Sequence, residues 1–255
     1  MTWKTIGQSV AGTSHTATGK PCEDAALYRI LTDREGAEVL VCCVSDGAGS
    51  ALYGGFAAGY TTEKVIACAT HLTEHDEELT EGHIYAMAED IYYGLQQEAT
   101  ACESALDEFS CTLLGCIITS SKSAFFQIGD GAIIRNNGSD TLATVWWPQN
   151  GEYHNTTSFL ADDSSMSNLR VAIVDDPVDE VALFTDGLQL LALNTENMSV
   201  HKPFFDGFFY HLRLATNEET IKMLQARLGN YLNSKVINDR TDDDKTLVLA
   251  PRINQ

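Results

Sequence analysis

Apolar and polar positions along the chain change period several times, and each change predicts an element. Residues 2–11 and 38–45 read as strands; the second belongs to VLVCCVSD, an unbroken apolar run that suits a strand covered on both faces and stops at Asp46-Gly47. Residues 51–72 and 83–105 then read as helices, the latter carrying Ile84, Met87, Ile91 and Leu95 at helical spacing, a core-facing stripe. Short β-like runs follow at 111–119, 124–128 and 132–135, and Gly129-Asp130-Gly131 between the last two reads as the turn of an antiparallel meander. The stretch 137–179 is polar and without a clear period; with Trp146-Trp147-Pro148 inside it, it reads as a loop or flap over a site. A strand is expected at 180–185, helices after Gly187 and across 217–232 (Ile221, Leu224, Leu228 and Leu232 on one face), and a last strand at 246–250. Strands at the start, middle and end, separated by helical pairs, predict a single α+β domain over 1–255, with antiparallel sheets and helices packed outside them.

Composition narrows the function classes. With 44% hydrophobic and 20% charged residues, the 255-residue chain can bury an ordinary core. No window approaches the roughly 18 apolar residues of a membrane span, and MTWKTIGQSV lacks the features of a secretory signal, so a cytoplasmic protein off the membrane is expected. The seven cysteines form neither a paired framework nor a zinc spacing, which fits reduced thiols. A cysteine-nucleophile phosphatase needs an arginine closing a short phosphate loop, and no cysteine here has an arginine six residues later. The formal charge of −20, from 36 acidic and 16 basic residues, repels nucleic acid and anionic membranes. An EF-hand is excluded as well, because no stretch has its alternating oxygen ligands and closing glutamate.

Most of the acidity belongs to a solvated surface, but some of it stands where strands end. Asp46, Asp130 and Asp186 each sit beside glycine at the boundary of an apolar run, Asp242-Asp243-Asp244 leads into the closing strand, and Glu23-Asp24 forms an early pair. One Asp-Gly is ordinarily a turn. If these strand ends converge, each pair of carboxylates at about 4 Å costs roughly 4 kcal/mol at an effective dielectric near 20, so the cluster calls for cations. Carboxylate and carbonyl oxygens suit Mg²⁺ or Mn²⁺, and the lack of a His/Cys ligand cluster argues against zinc. Glycine beside each aspartate keeps the approach open and lets a backbone carbonyl join the ligands.

In order, the chain shows KPCEDAA, VSDGAGSA, FSCTLLG, QIGDGAII, LFTDGL and DDDKTLVL. Together these resemble the ordered motifs of the type-2C metal-dependent serine/threonine protein phosphatases, the PPM family, over 12–250. The resemblance implies two antiparallel β-sheets packed as a sandwich and flanked by helical pairs, in four αββα layers, with a two-metal Mg²⁺/Mn²⁺ centre at one end. It implies that Asp46 bridges the metals, that Glu23 and the Gly47 carbonyl complete one, and that Asp186 and Asp243 complete the other. Asp24 matches a position that orients the attacking water, and Asp130 a ligand, shared with Asp186, of a weaker third ion. Asp243 is chosen within its triplet because DDKTLVL aligns with the family's Asp-Asn-x-Ser/Thr, which puts Asp244 at the asparagine position. The implied reaction is hydrolysis of phosphoserine or phosphothreonine esters on a protein, opposing a serine/threonine kinase, by a metal-bridging water.

The match departs from the family at three places. Gly19 stands where many relatives carry a phosphate-binding arginine, leaving Lys20 and His15 as candidate phosphate donors. Ala48 stands where some members place a histidine thought to protonate the leaving group, and Gly131-Ala132 replace a polar Ser-Arg. A catalytically weak or inactive relative serving as a binding or regulatory module, and a phosphatase of a small phosphate ester, are the alternatives. Trp146 and Trp147 read equally as a recognition surface and as packing of the flap.

Overall fold

The computed structural model describes residues 2–136, 141–148 and 157–253. Its strands are β1 (Thr2–Trp3), β2 (Ile6–Val10), β3 (Ala25–Thr32), β4 (Glu38–Ser45), β5 (Leu113–Ile118), β6 (Ser123–Ile128), β7 (Ala132–Arg135), β8 (Ala143–Thr144), β9 (Arg170–Val174), β10 (Glu180–Phe184), β11 (Leu193–Asn194), β12 (Ser199–Val200) and β13 (Lys245–Ile253). The helices are α1 (Thr13–Thr18), α2 (Gly54–His75), α3 (Glu81–Ala101), α4 (Ser165–Asn168), α5 (Gln189–Ala192), α6 (Lys202–Leu214), α7 (Glu218–Leu232) and α8 (Lys235–Asn238).

One sheet has the order β3-β4-β5-β6-β9; the other runs β1-β13-β10-β7-β8, with β2 also paired to β13. Every pairing is antiparallel. Because the side-chain period of a strand is two, β4 splits its apolar run between two cores. Leu40, Cys42 and Val44 face the other sheet, while Val41 and Cys43 face α2 and α3. The other sheet does the same: Val248 and Ala250 of β13 enter the inter-sheet core, and Leu247 and Leu249 pack under α6 and α7. Three stacked cores therefore separate four layers, helix pair, sheet, sheet, helix pair, and this explains why these strands read as unbroken apolar runs although they are antiparallel.

The helices follow from sequence signals. Thr80 caps α3 by accepting from the His83 amide at 3.3 Å, and Asn217 caps α7 by accepting from the Thr220 amide at 2.8 Å. In α2, Ala57, Ala58, Thr61, Thr62, Val65, Ile66, Ala69 and Leu72 are buried, a face of mostly small residues that brings the helix close to β3 and β4.

Three expectations need correction. β6 and β7 do not form a meander: β6 pairs with β5 and β9, whereas β7 pairs with β10 and β8, so Gly129-Asp130-Gly131 carries the chain from one sheet to the other. The chain after Gly187 makes only the short α5 before the full helix α6, which has Pro203 in its first turn. β3 was not anticipated. Within 137–179 lie β8, α4 and β9, and the flap expected there falls partly on 137–140 and 149–156, outside the described residues. Trp146 packs against the inter-sheet core and Trp147 against the core beneath α6 and α7, so both fasten this stretch to the body. Among the described residues, no helix is long and apolar enough to cross a membrane.

Candidate active site

Strand register brings the acids to one end of the sandwich. Ala25 pairs with Ser45, so Glu23-Asp24 before β3 and Asp46 after β4 are neighbours. Leu113 pairs with Ile128, which puts Asp130 at that end. In the other sheet Phe184 pairs with both Ala132 and Leu247, and Lys245 with Val10, so Asp186, Asp243 and the loop after β2 arrive there too. Asp46, Gly47, Asp130, Asp186, Asp243 and His15 line an open cavity of about 270 Å³. Glu23 adjoins it through His15, whose Nε2 is 3.6 Å from Glu23 Oε2. Lys20 lies at the rim, its Nζ donating to the Gly49 carbonyl at 3.3 Å and standing 3.8 Å from Glu23 Oε1.

Beneath the cavity, Asp24 is buried and its Oδ2 accepts from the Thr185 and Thr246 hydroxyls, each at 2.8 Å. Thr185 in turn accepts from the Thr246 amide at 3.1 Å, which ties the ends of β10 and β13 to the same carboxylate. Asp46 is fixed by Thr112, whose hydroxyl accepts from the Asp46 amide at 2.9 Å and whose amide donates to the Asp46 carbonyl at 2.8 Å. The Thr157 hydroxyl donates to Asp130 Oδ2, and Gln189 Nε2 donates to the Asp130 carbonyl. These threonines and Gln189 were not singled out from sequence. Thr185 and Thr246 stand next to quoted acids in FTDG and DDKT, and that adjacency was the available signal.

Two glycines let the acid loops approach. A Cβ on Gly47 would lie 2.3 Å from the Gly54 carbonyl carbon, and one on Gly187 would lie 2.0 Å from the Asp244 carbonyl oxygen. Neither position has a left-handed φ; what each requires is the absence of a side chain against another backbone.

Crowding shows in the protonation equilibria. Burial pushes Asp24 up to about 7, with the charges of Asp244 and Asp186 adding to it and the two threonine hydrogen bonds opposing it. Burial likewise raises Asp186 to about 6, helped by Asp130 and Asp243. Asp46 is held well above the ordinary carboxylate range by burial and then by Asp24 and Asp186, the latter within hydrogen-bonding reach. A carboxyl raised on folding binds protons more readily in the folded chain, so it favours folding at low pH and this advantage is lost as the pH rises through the folded pKa. For Asp24 that window runs from 3.8, its ordinary value, to about 7. In EDTA, the unfolding temperature is expected to fall between pH 5 and pH 7.5, and Mn²⁺ should remove much of the fall; a flat profile in EDTA would contradict the crowding.

Among the described residues, no group of three or more His, Cys, Asp or Glu side chains is already arranged to hold a metal ion. The donor set nonetheless fits hard divalent cations. It consists of oxygens, its carboxyls repel one another, and Glu23 Oε2 is buried without a hydrogen-bond partner.

A family model described as Protein phosphatase 2C matches residues 11–233. The chain is 37% identical over 251 residues to Serine/threonine-protein phosphatase 3 of Escherichia coli (strain K12), with 98% of each chain covered. Two solved structures share the fold. PppA, a key regulatory component of T6SS in Pseudomonas aeruginosa, superposes with a TM-score of 0.65 at 16% identity over 99% of each chain. The serine/threonine phosphatase Stp1 from Staphylococcus aureus does so with a TM-score of 0.59 at 17% identity, over 100% of this chain and 96% of that one. The αββα layers, the acids gathered from both sheets and the match along the chain all lead to the same place: this protein belongs to the protein phosphatase 2C family.

Proposed function

We propose that the chain hydrolyses phosphoserine and phosphothreonine esters on proteins, in the cytoplasm and in opposition to a serine/threonine kinase, with two Mg²⁺ or Mn²⁺ ions and a weaker third. The observation that carries this reading is the convergence of Asp46 from one sheet and Asp186 from the other on a single open, acid-lined cavity. Asp46 would be shared between two cations, Glu23 and the Gly47 carbonyl would complete one, and Asp186 and Asp243 the other. Asp130, with Asp186, would hold the third. Cations so placed supply Lewis acidity toward the phosphoryl group and a more acidic water as nucleophile.

The chain's own groups do the rest. Asp24, fixed by Thr185 and Thr246, is the acceptor that orients the water. Lys20 at the cavity rim, and His15 at its wall when both ring nitrogens carry a proton, are the donors available to a substrate phosphate. Lys20 is 46% exposed along its side chain and would reach an anion by turning away from the Gly49 carbonyl and Glu23, although a point charge does not reproduce the fork of an arginine. The cysteine content supports a reducing compartment.

The test is turnover of an aryl phosphate and of a phosphothreonine peptide by the purified protein with Mn²⁺, with Mg²⁺ and with excess EDTA. Metal-requiring turnover with the peptide preferred is expected. Preference for the small ester would move the substrate to metabolites, and calorimetric metal binding without turnover would make the protein a binding or regulatory module.

A further inference from the structure

We propose that Asp244 is a positioning residue whose single buried carboxylate fastens both ends of the 12–23 arm and so sets Glu23 and His15 at the cavity. The proposal rests on the reading of Glu23 as a cation ligand. Its basis is a convergence of donors from far along the chain. Asp244 Oδ1 accepts from the Gly12 amide at 2.6 Å, and Oδ2 accepts from the Glu23 amide at 2.6 Å. His15 Nδ1 lies 3.0 Å from the same Oδ2. Asp244 is only 4% exposed.

Between the two amides the chain leaves β2, makes α1 and returns to β3. The arm also rides on the neighbouring backbone: the Asp242 carbonyl accepts from the Ser14 amide at 3.0 Å and from the Ser14 hydroxyl at 2.7 Å. The orientation of His15 follows from the clasp. Its Nδ1 faces two acceptors, Asp244 Oδ2 and the Pro21 carbonyl at 3.1 Å, so Nδ1 carries a proton and the Nε2 edge is turned toward Glu23 and the cavity. Asp243 belongs to the same unit, because its Oδ1 accepts from the Asp244 amide at 2.8 Å. Asp243 and Asp244 both line the cavity, but both Asp244 oxygens are engaged by the arm, which leaves Asp243 as the member of the pair with an oxygen to offer a cation.

Asparagine is the discriminating replacement. It keeps the volume of aspartate but offers one acceptor oxygen in place of two, and its amide N–H₂ would meet a backbone N–H donor against donor. One charge-assisted fastening of the arm is lost, and about a tenfold to hundredfold weakening of the Glu23-dependent cation site is expected. Removing a charge near a cation weakens binding by itself, so Asp242→Asn is the control: it deletes the same charge from an exposed neighbour and leaves the clasp intact, with at most a few-fold effect expected.

The experiment compares wild type, Asp244→Asn, Asp244→Ala and Asp242→Asn as full chains. Mn²⁺ binding is read by calorimetry, unfolding temperature is read in EDTA, and aryl phosphate turnover is read against Mn²⁺ concentration. The expected result for Asp244→Asn is Mn²⁺ affinity about ten- to a hundredfold weaker, the Mn²⁺ concentration for half activation raised by the same factor, and turnover recovered by adding Mn²⁺. Wild-type Mn²⁺ affinity in Asp244→Asn, or an effect no larger than that of Asp242→Asn, would overturn the proposal while leaving the phosphatase reading intact. A loss that Mn²⁺ does not restore and that follows a fallen unfolding temperature would overturn it too, by making Asp244 a purely structural residue. A wild-type protein that binds no Mn²⁺ would overturn the cation site and this proposal together.

Discussion

Asp46→Asn is expected to lose divalent-metal binding and phosphatase turnover together while making the metal-free protein more resistant to unfolding. The replacement keeps the shape of the side chain and removes one negative charge. At about 4 Å and an effective dielectric near 20, one unit-charge interaction is worth roughly 4 kcal/mol, equivalent to about a thousandfold in binding or rate. The gain in stability has the same origin. Asp46 is raised well above the ordinary carboxylate range by burial and by Asp24 and Asp186, so its charge opposes folding until a cation neutralises it. Calorimetry with Mn²⁺, an aryl phosphate assay and thermal unfolding in EDTA measure the three effects. Full activity in the variant would remove Asp46 from the centre of the site.

The second large effect is expected from a methyl group. Gly187→Ala would place its Cβ 2.0 Å from the Asp244 carbonyl oxygen, a backbone atom that cannot rotate aside. The loop after β10 and the loop before β13 must then separate by on the order of 1 Å, a displacement that costs about a hundredfold in rate when it falls on reacting groups. Stability should fall by about 1–3 kcal/mol from overpacking. Gly207→Ala is the matching control. Gly207 is exposed on α6 with nothing within 4 Å of the added Cβ, so alanine should stabilise by about 0.5–1 kcal/mol and leave turnover unchanged. Equal turnover in Gly187→Ala and Gly207→Ala would show that the spacing of these two loops does not matter to the reaction.

What could be read from the sequence follows burial. β4, β5, β10 and β13 lie between two cores and announce themselves as apolar runs, and α2, α3 and α7 carry one buried face each. β3 and β9 are the two edges of their sheet, half-buried along most of their length, and their apolar runs, AALY and VAIV, are only four residues long and adjoin polar stretches, so neither was recognised. Gly129-Asp130-Gly131 misled for a different reason. A glycine-bounded aspartate between two strands carries the same local signal whether the chain folds back in one sheet or crosses to another, and only the pairing of β7 with β10 decides. At the site, Asp46, Asp130 and Asp186 stood out because each follows an apolar run, whereas Glu23, Asp24 and Asp243 precede their strands and were picked out through the order of the motifs. The side chains that hold them were not: Thr185 and Thr246 meet Asp24 across 161 and 222 positions, and Asp244 meets Glu23 across 221. Sequence shows which carboxyls interrupt the strands; which hydroxyls and amides steady them is a property of the folded ends.

The acids of this site are divided between the sheets, with Asp46 and Asp130 leaving one and Asp186 leaving the other. Any ion held by both parties is therefore a cross-link between two halves of the sandwich whose remaining attachment at that end includes the Asp24 hydroxyl contacts. Its binding free energy adds to the cohesion of the fold. Local opening of the strand ends and release of the ion become one event, and a cell short of the metal would hold a protein that is not only idle but also looser at its working end.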